Sequence, residues 1–130
     1  MDGSAEINDI SGAIIGAAIK VHSRLGPGLL EHAYRRCLEY ELKRADLKVE
    51  CELSVPLEYD DLIIPGAYRI DLLVESIVIV EVKAIEAIFP VHLSQVLTYL
   101  KLSRKPLGLL LKFNVTRVID GTKRIVNNLH

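Results

Sequence analysis

The chain contains no tryptophan and only two phenylalanines in 130 residues. Proteins that grip single-stranded nucleic acid by stacking its bases use a series of aromatic side chains. Any recognition of nucleic acid here is therefore expected to rest mainly on backbone shape and charge, with weak sequence preference. Cysteine is also scarce. Cys37 and Cys51 follow no metal-ligand spacing and read as reduced packing residues rather than a disulfide or a zinc site. No apolar stretch approaches the length of a membrane span, and no cationic segment closed by small residues opens the chain. A cytoplasmic location with no membrane partner is expected. Nor does any linker, repeat or low-complexity tract divide the sequence, so residues 1–130 are expected to form a single domain.

What is present is an ordinary globular balance. Hydrophobic residues make up 50% and charged residues 25%, too apolar for a disordered chain. The net charge of −1 argues against a dedicated polyanion binder, but it hides an asymmetry. Residues 1–93 carry nine Lys and Arg against sixteen Asp and Glu, whereas residues 94–130 carry seven against Asp120 alone. A basic C-terminal third can neutralise phosphates while the acidic remainder supplies metal ligands. Solvated surface charges would account for the same numbers. The mean hydropathy of +0.27 is high for a small monomer and suits a homodimer that buries an apolar face.

Ile7, Ile10, Ile14, Ala17 and Val21 recur at helical spacing and predict a helix over 5–23. Leu25-Gly26-Pro27-Gly28 breaks it. A second helix carries Tyr34, Cys37, Leu38, Leu42 and Ala45 on one stripe and ends near Asp46. Lys48 to Tyr59 reads as a strand in which Pro56 marks an edge or a bend, with Asp60-Asp61 as the turn. Strands over 67–74 and 77–83 follow, joined at Glu75-Ser76. Pro90 opens a third helix that runs to Ser103, and Leu107 to Phe113 reads as an interior strand. Val115 to Ile119 and Arg124 to Val126 predict a closing hairpin around Asp120-Gly121. Helices precede, interrupt and flank the strands. The expected class is therefore α/β, three layers with a central mixed sheet covered on both faces.

Charged residues interrupt the most hydrophobic part of this pattern. Asp71 lies in Arg69-Ile70-Asp71-Leu72-Leu73-Val74, and Glu81 and Lys83 lie in Ile77-Val78-Ile79-Val80-Glu81-Val82-Lys83. Charged groups are almost never buried unless paired or bound to metal. Two carboxylates with an amine beside them can hold a divalent cation and cut a phosphodiester. Strand periodicity puts Glu81 and Lys83 on one face. A strict two-residue turn at Glu75-Ser76 would pair residue 71 with 80 and point Asp71 the wrong way. A three- or five-residue connection, or a bulge, is therefore expected.

Other candidates come from the helices. Glu31 falls in the arc of Leu38 and Leu42, which makes it an inward acid needing a metal or lysine. As a first-turn carboxylate stabilised by the helix N-terminus, it would need neither. Gln95 and Tyr99, four residues apart beside the stripe of Leu93, Val96, Leu97 and Leu100, project together.

The ordered set Gly28-x-x-Glu31-x-x-Tyr34, Asp71, Glu81-Val82-Lys83 and Gln95-x-x-x-Tyr99 resembles the PD-(D/E)XK nuclease superfamily. Within it, the chain is similar to the small GxxExxY family, with the Gln-x-x-x-Tyr element of the RecB-like branch. The likeness runs from the first helix to Asp120-Gly121-Thr122-Lys123-Arg124. The resemblance implies a restriction-endonuclease-like core and a nuclease acting on nucleic acid, DNA by preference. Asp71, Glu81, the Val82 backbone carbonyl and Glu31 would bind Mg²⁺ or Mn²⁺. Lys83 would orient the attacking water, and Gln95 and Tyr99 would position the metal shell or the phosphate. Arg69, two residues before Asp71 and so expected on its face, would clamp phosphate or pair with Asp71 or a nearby acid. Glu86, three residues after Lys83, and His92, one turn before Gln95, lie near enough to support the site from outside, although residues so placed are mostly structural. Two other readings stand beside this one: a nuclease-fold binding or assembly module with little activity, and a buried Glu81–Lys83 ion pair with only a structural role.

Overall fold

The computed structural model describes residues 3–128. Two helices, α1 (Gly3–Leu25) and α2 (Glu31–Arg44), precede a hairpin of β1 (Val49–Tyr59) and β2 (Leu62–Val74). β3 (Val78–Lys83), α3 (Pro90–Ser103), β4 (Leu107–Lys112), a 3₁₀ turn (Val118–Gly121) and β5 (Thr122–Val126) complete the order. The strands form one mixed sheet in the order β1-β2-β3-β4-β5. Only β3 and β4 run parallel, because α3 carries the chain back across the sheet between them. Among the described residues no helix is long and apolar enough to cross a membrane.

Two apolar layers sandwich the sheet. α1 and α2 pack with Leu72, Val74, Val78, Val80, Val82, Leu109 and Leu111 on one face. On the other face, Val96 and Leu100 of α3 pack with Ile70, Leu73, Ile79 and Leu110. The three-layer α/β/α arrangement expected from the sequence is the one observed. α3 comes very close to the sheet at Gly108, where an added Cβ would lie 2.6 Å from Val96 Cγ1. Gly108→Ala should therefore destabilise the protein by about 1–3 kcal/mol, the usual range for overpacking, as read by urea denaturation.

Two expectations change. β2 begins at Leu62 rather than 67, pairing Tyr59 with Leu62 across the Asp60–Asp61 turn. The register shifts between Val55↔Tyr68 and Leu57↔Ile64, so Pro56, Pro65 and Gly66 fall at an irregularity where no ladder N–H is needed. The closing hairpin does not form. Nε2 of buried His22 lies 3.1 Å from the Phe113 carbonyl and 2.9 Å from that of Val115, tying this segment to α1. Val118 is buried against the same layer, and the chain makes a 3₁₀ turn before β5 pairs with β4 instead.

Candidate active site

The connection between β2 and β3 decides which acids meet. Glu75 and Ser76 are both left-handed (φ 53° and 58°), and Val74 pairs with Val78, leaving a three-residue turn. This register carries Asp71 to a position opposite Glu81, on the side the sequence argument required. The described backbone ladder stops at Leu72↔Val80. Beyond that point the two carboxylates take over the strand contacts. Glu81 Oε1 accepts from the Asp71 N–H at 3.2 Å, and Asp71 Oδ2 accepts from the Val82 N–H at 2.9 Å.

Asp71 also marks a swap of faces. In β2, Leu72 and Val74 belong to the layer under α1 and α2, but Tyr68 and Ile70 belong to the layer under α3. In β1, Val49 and Cys51 lie on the first side, Leu53 and Val55 on the second. Strict alternation therefore fails in both strands, at Asp71 and at Glu52, whose φ of 50° is left-handed. Arg69, between Tyr68 and Ile70, consequently points away from the α3 face and is exposed, which corrects the expectation that it shares a face with Asp71. The guanidinium beside Asp71 is that of Arg35 on α2. Its Nη1 lies 3.8 Å from Asp71 Oδ1, and its Nη2 lies 2.8 Å from Glu52 and 2.7 Å from His32 Nδ1.

Glu81 is buried, and its pKa is raised well above the ordinary carboxylate value. Burial is the main cause, followed by the charge of Asp71 and the hydrogen bonding between the two acids. The Asp71 N–H and the Lys83 charge pull the other way. Lys83 is half-buried and falls on the face of Ile79 and Glu81. Tyr99, on α3, packs against Tyr68 with ring centroids 5.6 Å apart and the ring planes inclined at 59°. Its pKa is raised by burial first and then by the negative charges of Glu81 and Asp71. Gln95 is exposed one turn earlier.

The glycine-rich approach to α2 has a physical account. Gly26 and Gly28 are left-handed, with φ of 68° and 99°. Tyr34 is fully buried, stacked on Phe113 with centroids 4.5 Å apart. Its hydroxyl donates to the Gly26 carbonyl and accepts from the Leu29 N–H, holding the loop that presents Glu31. Glu31 is exposed at the first position of α2, and its Oε1 accepts from the Ala84 N–H at 3.0 Å, just past Lys83. Tyr34→Phe should cost about 1–2 kcal/mol in thermal unfolding, since it leaves two backbone groups without their partner.

A model of the PD-(D/E)XK nuclease superfamily matches residues 8–125 of this chain. The chain belongs to that superfamily. No curated protein and no solved structure matches it. PD-(D/E)XK nucleases typically use divalent metals, so the fit of these residues to such an ion matters. Among the described residues, no group of three His, Cys, Asp or Glu side chains stands ready to hold a metal. The Asp71–Glu81 pair nonetheless has the chemistry for one. Mg²⁺ is commonly held by one or two carboxylates and keeps several waters. A cation between these acids would also offset the Asp71 repulsion that adds to burial in raising Glu81.

Some PD-(D/E)XK candidates turn out to have structural contacts. His92 Nδ1 accepts from the Phe89 N–H and caps α3, while exposed Glu86 gives its backbone carbonyl to the Lys112 ammonium. Sequence reading gave no role to Arg35, Glu52 or Tyr68. Arg35 carried one signal, its position one turn after Glu31 on α2, and Tyr68 opens the segment Tyr68-Arg69-Ile70-Asp71 that fits the superfamily pattern. Nothing in the sequence marks Glu52 as left-handed.

Proposed function

We infer that this chain is a divalent-metal-dependent nuclease that hydrolyses phosphodiester bonds of nucleic acid, with DNA as the favoured substrate. The observation that carries the reading is the juxtaposition of Asp71 and Glu81 on neighbouring strands, with Lys83 two residues beyond Glu81 on the same face. Asp71, Glu81 and the Val82 carbonyl would hold Mg²⁺ or Mn²⁺, with Glu31 reaching the site from α2. When bound, the ion would supply an acidified water and neutralise charge on the phosphate. Lys83 would donate to the attacking oxygen or a phosphate oxygen, where charge develops. The Tyr99 hydroxyl and the Gln95 amide would position the phosphate from the opposite wall. The left-handed Gly28, the Glu31 contact to Ala84 and the tethering role of Tyr34 support assignment to the GxxExxY family.

The test is cleavage of single- and double-stranded DNA and RNA in Mn²⁺, by the wild type and by Asp71→Ala. We expect nicking by the wild type that EDTA abolishes and that falls by about a hundredfold or more in the variant. A folded, Mn²⁺-binding wild type that cuts none of the four substrates would instead favour a binding module.

A further inference from the structure

Three lysines cross the sheet beside the carboxylate pair. Gly108 and Leu110 of β4 face α3, so Lys112 does too. Ile125 of β5 packs under α3, which puts Lys123 on the same side. Arg124 between them turns to the opposite layer, where its Nη1 meets Ser11 of α1. Lys83 aligns with Lys112 across the parallel pair, and Leu110 aligns with both Glu81 and Lys123. Lys83, Lys112 and Lys123 thus step across three adjacent strands on the face that carries Glu81. Ladder spacing sets Lys123 about 10 Å from Glu81, measured across the strands.

Lys112 and Lys123 also line a cleft of about 240 Å³, walled by Ile88, Val115, Asp120 and Gly121. The Lys112 ammonium donates to the Glu86 carbonyl, which fixes it at the rim. The acid in the cleft, Asp120, has the Arg117 guanidinium 3.8 Å away. Gly121 leaves the floor flat: a Cβ there would lie 2.6 Å from the Lys112 carbonyl oxygen. This is where the basic C-terminal third of the sequence meets the acidic site.

We propose that Lys112 and Lys123 form a backbone subsite, which binds the phosphates of the nucleic-acid strand flanking the bond cut at Asp71–Glu81. The subsite takes its substrate class from the nuclease reading above and adds the path of the strand, from Lys83 across β4 to β5. It contacts phosphates alone, so it contributes affinity without sequence preference.

Binding is measured by fluorescence anisotropy with a labelled DNA duplex, in EDTA, over a KCl series. Each lost lysine–phosphate contact lowers the slope of log affinity against log salt by about 0.9. The Lys112→Gln/Lys123→Gln double variant should therefore lose about 1.8 in slope and bind roughly tenfold or more weakly near 0.1 M KCl, equally for unrelated sequences. Lys112→Arg/Lys123→Arg should retain the wild-type slope. Lys48→Gln, at the opposite end of the sheet beside Glu75, should change nothing. An unchanged slope in the glutamine double variant, an equal loss from Lys48→Gln, or a wild type that does not bind would each overturn the subsite. Mn²⁺-dependent cleavage with an unchanged slope would sink the subsite and leave the nuclease reading standing. A lysine-dependent slope with no cleavage would do the reverse.

Discussion

Glu81→Gln should raise the melting temperature of the metal-free protein near pH 8 and abolish its response to Mn²⁺. The two effects have one cause. Glu81 is buried beside Asp71, so its folded-state pKa lies above its unfolded value. A group shifted this way contributes its full stability below the usual carboxylate range and loses it as pH rises toward the folded-state pKa. The wild type should therefore weaken steadily from about pH 5 to pH 8, while the neutral glutamine should not. Stabilisation on the order of 2 kcal/mol near pH 8, roughly 5–10 °C in melting temperature, is expected, with little difference near pH 4. Mn²⁺ should stabilise the wild type and leave the variant unmoved, because the variant has lost one of two adjacent carboxylates. Calorimetric titration of Mn²⁺ and melting curves across pH check both halves. Equal melting temperatures at both pH values would remove the electrostatic account of this pair.

Lys83→Met should separate binding from chemistry. Lys83 lies on the face of Glu81 but accepts no metal, since an ammonium has only donors. The methionine keeps the stem and removes the charge, so the fold and the β3–β4 pairing should persist. Cleavage is expected to fall by roughly a hundred- to a thousandfold, the cost of losing one donor aimed at developing charge. The Mn²⁺ dissociation constant should stay level or tighten slightly, because a positive neighbour has gone. Single-turnover cleavage beside calorimetry makes the distinction. A matched loss of metal affinity and rate would assign Lys83 to the structure of the site instead.

Much of this site was legible because its signals are strong relative to the strand background. Asp71, Glu81 and Lys83 stand out within runs of Val, Ile and Leu, and the demand that Asp71 and Glu81 share a face was enough to call for an odd-numbered turn. Arg69 was misread because period-two reasoning assumes a continuous pleat, and β2 changes faces at Asp71. The force behind that change is distributed over β1, where Glu52 adopts a backbone conformation its residue type does not announce. The closing hairpin failed for a similar reason. Asp120-Gly121 is sound turn chemistry, but the long-range contact from His22 to the Phe113 and Val115 carbonyls overrides it. Glu31 was read from the helical wheel as an inward-facing acid, but it is exposed at the first turn of α2 and accepts from the Ala84 N–H, a contact no helical wheel could disclose.

The two carboxylates are linked by hydrogen bonds spanning only ten and eleven positions of the chain. A loop that short closes at small entropic expense and early in folding. Glu31 and Tyr99, by contrast, arrive only when separate helices dock. Partial opening of α2 or α3 should thus leave an intact acidic nucleus, and native-state hydrogen exchange should find the Asp71 and Val82 amides among the slowest in the chain.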